Sequence, residues 1–207
     1  MSDVPVGDRP VLAVIGPHSG CGKSTFVLQL LRHLPGVGCL KISPVHDARA
    51  PWPAGGAADF AFEAVDSLTC GDRDTGRYLS AGAAHVERLR HRGAGLRAGL
   101  AAACGRFPPG MPVIVESSSA LVFLRPRCVL LVVRPPLREM KPATLAVLPR
   151  VTDLLWNMSS TGSDARHATE ELRREFSALN PTGIWRADLL SEPLPAGLLE
   201  RVRSALT

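Results

Sequence analysis

The first apolar block of the chain, Val11-Leu12-Ala13-Val14-Ile15, runs unbroken into Gly16. A short continuous run of this kind marks a strand buried on both faces. A glycine-rich turn follows. Phe26, Val27, Leu30, Leu31 and Leu34 then recur at helical spacing, which predicts a helix over Ser24 to Leu34 that stops at Pro35-Gly36. Gly38 to Ser43 predicts a second strand. Strand, helix and strand in this order open a doubly wound sheet.

Further along, Val113-Ile114-Val115-Glu116, Val129-Leu130-Leu131-Val132-Val133 and Asp153-Leu154-Leu155-Trp156-Asn157 predict three more buried strands. Gly95 to Cys104 predicts a helix, Asp164 to Leu179 an amphipathic helix, Ile184 to Ala187 a last strand, and Leu198 to Leu206 a closing helix. Residues 44 to 58 are rich in Pro, Ala and Gly and read as a long loop, a kind of segment that often carries function. The stretch from 59 to 92 is ambiguous: a helix around Asp59 to Leu68, a turn, then helix or strand to Arg92. No internal repeat or heptad pattern is present. The expectation is an α/β chain, residues 1–207 forming a single domain, with three layers around a mostly parallel sheet of six or seven strands.

Composition narrows the function classes. The chain has 207 residues, 45% hydrophobic, which is ample for a folded core. Cys21, Cys39, Cys70, Cys104 and Cys128 are odd in number and scattered, which argues against a disulfide framework and for a reduced, cytoplasmic setting. The N-terminus lacks the basic and apolar regions of a signal peptide, and the longest apolar run is too short to span a bilayer. The net charge of +5 is almost all arginine, spread along the chain, so no nucleic-acid partner is expected from it. Only Lys23, Lys41 and Lys141 are lysines.

The chemistry begins at the junction of the first strand and helix, Gly16-Pro17-His18-Ser19-Gly20-Cys21-Gly22-Lys23-Ser24-Thr25. Converging backbone N–H groups can cradle phosphate oxygens only where glycines keep side chains out of the way. The following helix adds its positive N-terminal end. Ser19 to Thr25 are therefore the expected nucleotide-binding residues, with Lys23 on the β- and γ-phosphates as the catalytic charge and the Ser24 hydroxyl on Mg²⁺. The strict spacing wants glycine at position 17, where this chain has Pro17; Gly16 lies one residue early.

A carboxylate at the end of a neighbouring strand is expected to serve the same Mg²⁺, and Glu116 ends such a strand. Asn157 ends another and is expected to face the base, with a turn-forming asparagine as the alternative. After the second strand come Lys41, Ser43, His46 and Asp47. Asp47 is a candidate for the magnesium shell or for orienting water, and Lys41 for holding a phosphate or an acidic substrate. His46 has no second histidine at ligand spacing.

These residues resemble the deviant P-loop class that includes the molybdopterin-guanine dinucleotide biosynthesis protein B and the urease and hydrogenase metallochaperone GTPases. The phosphate loop, Leu40-Lys41-Ile42 with His46-Asp47, and Arg77 with Ala81-Gly82-Ala83 are similar to the biosynthesis protein. Val115-Glu116-Ser117 and Leu155-Trp156-Asn157 are similar to strands of the metallochaperones, and Asn180-Pro181 to the approach to their last strand. The chain departs from them after Asn157, where Met158-Ser159-Ser160 lacks the guanine-reading aspartate, and it lacks their Cys/His metal-binding segments.

The resemblance implies Mg²⁺-dependent binding and slow hydrolysis of GTP or ATP by an accessory protein that works with a partner protein, and it leaves a homodimer open. Two other readings stand beside it: an ATP-dependent small-molecule kinase or ligase with an acidic acceptor held near Lys41, Arg77 and the 44–58 loop, and a regulatory nucleotide-binding protein without turnover.

Overall fold

The computed structural model describes residues 3, 4, 8–47, 49, 52, 59–63, 73–135, 139–158, 172, 174–176 and 178–207. In chain order its elements are β1 (Val11–Ile15), α1 (Lys23–Leu31), β2 (Gly38–Pro44), β3 (Phe60–Glu63), α2 (Arg73–Ser80), β4 (His85–His91), α3 (Gly95–Cys104), β5 (Val113–Glu116), β6 (Cys128–Val133), α4 (Pro142–Leu145), β7 (Asp153–Asn157), β8 (Gly183–Ala187) and α5 (Ala196–Leu206). The strands form one sheet in the order β3-β4-β2-β5-β1-β6-β7-β8. Every pairing is parallel except that of β3 with β4.

Strand alternation sorts the core into two faces. Leu12, Val14, Cys39, Ile114, Leu130 and Leu155 meet Phe26, Leu30 and Leu31 of α1 and Leu198 and Val202 of α5 on one face. On the other, Leu40, Val113 and Val115 pack with Leu96 and Leu100 of α3, while Ile15, Leu131 and Trp156 pack with Val147, Leu172 and Phe176. Both faces of the central strands are therefore dry, which is why β1, β5, β6 and β7 read as unbroken apolar runs. At the start of β7, Asp153 is fully buried. Its carboxylate accepts bonds from Nε and Nη2 of Arg201 on α5, at 3.2 and 3.1 Å, which fixes that helix across the sheet.

Three expectations change. The helix expected to reach Leu34 ends at Leu31; His33 N–H then bonds Leu30 O at 2.9 Å and Gly36 turns the chain at φ +79°, while Leu34 stays buried. The helix expected around Asp59 to Leu68 is a strand over Phe60–Glu63. It pairs with β4, and Glu63 bonds Arg88 at 3.0 Å and Arg90 at 2.7 Å across the pair. This strand and β4 raise the count from six or seven to eight. Most of the 44–58 loop, residues 64–68, Cys70, and most of the helix over Asp164 to Leu179 lie outside the described residues.

Candidate functional site

The loop between β1 and α1 leaves the sheet beside the ends of β5 and β6, the point where the strand order reverses. Gly20 at φ +81° and Gly22 at φ +103° lie in the left-handed region, so the two glycines of Gly20-Cys21-Gly22 are required by the backbone itself. Gly22 is also the N-cap of α1, and a Cβ there would stand 2.4 Å from Asn157 Nδ2.

The loop entrance explains the displaced glycine. A Cβ on Gly16 would meet Cys21 Sγ at 2.4 Å and Lys23 Cδ at 3.0 Å, so the close approach falls at position 16 and Pro17 is tolerated at 17. Lys141 and Thr144, at the start of α4 and within it, brace this entrance from outside. Lys141 N–H bonds Pro17 O at 2.9 Å, Thr144 Oγ1 donates to Gly16 O at 2.9 Å, and Lys141 Nζ donates to Ser19 Oγ at 3.3 Å. Within the loop, Lys23 Nζ donates to His18 O at 2.8 Å and to Cys21 Sγ at 3.4 Å.

Above the loop lies a pocket of about 430 Å³. Ser19, Gly20, Gly22, Lys23, Ser24, Thr25, Glu116 and Asn157 all contribute to its wall, as does Lys41. Cys21 does not; its side chain is fully buried beneath the loop. The sheet order gives the pocket a direction, from Leu189, Leu190 and Asn157 at the β7–β8 end, over the loop, to Glu116 and Lys41 at the β5–β2 end.

Glu116 is 7% exposed. Its Oε1 accepts the Ser24 hydroxyl at 3.0 Å, and its Oε2 accepts the hydroxyl of fully buried Tyr78. Burial, and then the neighbouring Glu116 carboxylate, push the Tyr78 hydroxyl far above its ordinary range, so it acts as a donor. The same two causes raise the thiol of Cys39, on β2 beneath them.

Asn157 lines the pocket wall and also bonds inward. Its Nδ2 donates to Cys21 O at 3.1 Å and its Oδ1 accepts Leu189 N–H at 3.2 Å, so the side chain ties the phosphate loop to the turn after β8. Within that turn, Asp188 spends its carboxylate on Leu190 N–H at 3.0 Å and the Ser191 hydroxyl at 2.8 Å. Leu190 stands 79% exposed at the pocket rim. Asp47 is exposed, accepts a bond from its neighbour Arg49 N–H at 2.8 Å, and is not part of the pocket wall. The structure therefore does not bring Asp47 together with Lys23, Ser24 and Glu116. His46 and Arg77 are exposed as well. Ser159, Ser160 and Asp164 lie outside the described residues.

Tyr78, Arg134, Lys141, Leu189 and Leu190 are site residues that sequence reasoning missed. Two of them carried a compositional signal. Tyr78 is the chain's single tyrosine, and Lys141 is the third of three lysines among 24 basic residues. All three lysines line the one pocket, together with Arg134.

Among the described residues, no group of three or more His, Cys, Asp or Glu side chains is gathered to hold a metal, and no helix is long and apolar enough to cross a membrane. The hard-oxygen pair Ser24 and Glu116 is of the type that suits Mg²⁺, which keeps much of its own water and needs few protein ligands.

No family model matches the chain, and no curated protein matches it by sequence. Among solved structures it is similar to LpxK from Aquifex aeolicus, an "apo" form in complex with ATP, at 12% sequence identity and a TM-score of 0.50. The superposition covers 97% of this chain and 90% of that one. At that identity the likeness is one of fold, and the fold is the α/β P-loop type with a mostly parallel sheet.

Proposed function

We propose that this chain binds a nucleoside triphosphate with Mg²⁺ and turns it over slowly by itself. The observation that carries the proposal is the use of lysine. An arginine-rich chain has three lysines, and Lys23, Lys41 and Lys141 all face one pocket whose floor is a loop of left-handed glycines. With Arg134 they set four cations against the single carboxylate Glu116. Such a wall suits a polyphosphate. The ATP bound by the similarly folded LpxK is consistent with this reading.

In this proposal the backbone N–H groups of 19–25 and the Lys23 ammonium hold the phosphates, exchanging the Lys23 bond to His18 O for one to a phosphate oxygen. Ser24 and Glu116 hold the magnesium, which supplies charge neutralisation on the β- and γ-oxygens when bound. Lys41 and Arg134 flank the loop from opposite sides of β1 and add positive charge around the phosphates. Asn157 acts as a clamp on the loop, and the base lies against Leu189 and Leu190. Asp47 is given no part.

With Asp188 committed to its own turn and Met158 following Asn157, no carboxylate is offered to a guanine ring among the described residues. GTP and ATP are therefore expected to bind within about tenfold of each other, or about 1.4 kcal/mol. The accessory role implied by the likeness to the molybdopterin-guanine dinucleotide biosynthesis protein B fits this chemistry, with a partner protein accelerating turnover. A second reading, transfer to a small acidic acceptor, is favoured by the cationic excess of the pocket and by Lys41 at its Glu116 end.

Titration of ATP, GTP and their diphosphates with and without Mg²⁺, followed by a turnover assay, tests the proposal. Parent protein should prefer triphosphate with Mg²⁺, and Glu116→Gln should lose the magnesium dependence while remaining folded. Binding that ignores both Mg²⁺ and the γ-phosphate would overturn it.

A further inference from the structure

Helix α2 carries one side chain deep into the sheet. Tyr78 is fully buried within the apolar cluster that also holds Phe26, Leu12 and Ile114. Its backbone is fixed there: Tyr78 O accepts Ala83 N–H at 3.0 Å, and the chain reverses at Gly82 with φ +106°. The Arg77 and Ala81-Gly82-Ala83 segment thus frames this tyrosine.

A phenylalanine would fill nearly the same volume and bring no hydroxyl of its own into the core. A buried hydroxyl is costly unless it is bonded, and this one is spent on Glu116 Oε2. The other carboxylate oxygen accepts Ser24 Oγ at 3.0 Å. With one donor on each oxygen, from α2 and from α1, the carboxylate plane has a defined orientation.

We propose that Tyr78 is the positioning residue of the magnesium site, its hydroxyl holding Glu116 so that the second carboxylate oxygen faces Ser24 and the pocket. The inference rests on the reading of Glu116 as a magnesium-holding group. Tyr78 itself touches neither nucleotide nor metal in this arrangement; it acts through Glu116.

The chain's single tyrosine makes the test selective. Protein grown with 3-fluorotyrosine carries one ¹⁹F label, at Tyr78. ATP is added first without metal, then Mg²⁺. The Tyr78 resonance should move on the Mg²⁺ addition, and Glu116→Gln should abolish that movement. In parallel, Tyr78→Phe should weaken ATP binding about tenfold more in the presence of Mg²⁺ than in its absence, the loss expected for one hydrogen bond to a charged group. Should Tyr78→Phe fail to fold, the resonance alone decides. A resonance that ignores Mg²⁺, or follows it equally in Glu116→Gln, overturns the inference while leaving the nucleotide reading standing. A parent chain with no magnesium-dependent ATP binding overturns both.

Discussion

Replacing Asn157 with alanine separates a clamp from a base reader. The side chain is 7% exposed and joins two backbone groups of buried residues, Cys21 O and Leu189 N–H, at 3.1 and 3.2 Å. Alanine leaves both without their partner. A buried group left unsatisfied costs about 1–3 kcal/mol. Water from the adjoining pocket can reach part of the gap, so the expected total is about 2–4 kcal/mol. For a chain of 207 residues, with an unfolding entropy near 2.1 cal/mol/K per residue, that lowers the melting temperature by about 5–9 °C. The loop also loses the contact that holds Gly22, so affinity for inorganic tripolyphosphate, ATP and GTP should fall together. Thermal melts and titrations with the three ligands check both effects. An unchanged melting temperature, with loss confined to one of the two nucleotides, would refute the clamp and restore the base-reading role.

Gly22→Ala should be far more damaging to triphosphate binding than Gly20→Ala. Both positions have positive φ, but only at Gly22 does a Cβ stand 2.4 Å from Asn157, whereas nothing lies within 4 Å at Gly20; comparing the two dissociation constants checks the ranking. His91, 7% exposed, has its pKa lowered by burial and then by nearby His46. The unfolded chain therefore takes up that proton first as pH falls through about 6.5, and native stability drops from there until folded His91 protonates. Melting temperatures measured from pH 7.5 to 5 should show this acid limb, and His91→Gln should flatten it.

Sequence carried the local parts of this architecture and missed the parts assembled at a distance. The strands β1, β5, β6 and β7 are legible because burial on both faces leaves an unbroken apolar run, and the phosphate loop because left-handed turns demand Gly20 and Gly22. Phe60–Glu63 does not read as a strand by itself because its reason for being extended lies in Arg88 and Arg90 of another strand. Tyr78 and Lys141 reach the site from segments 38 and 25 residues from Glu116, on opposite sides of it in sequence, and no local pattern joins them. Asn157 reads from sequence as the end of a strand, but only the fold reveals that its carboxamide bonds Cys21 O and Leu189 N–H.

The central claim is that Lys23 and its loop bind a triphosphate, and an isothermal titration of ATP with Mg²⁺ into parent and Lys23→Ala protein tests it most directly. The ammonium makes charge-assisted bonds, so its loss should weaken binding by about 1.5–3 kcal/mol, or about 10- to 150-fold in Kd, with the protein still folded. Equal affinity in the two proteins would contradict the account.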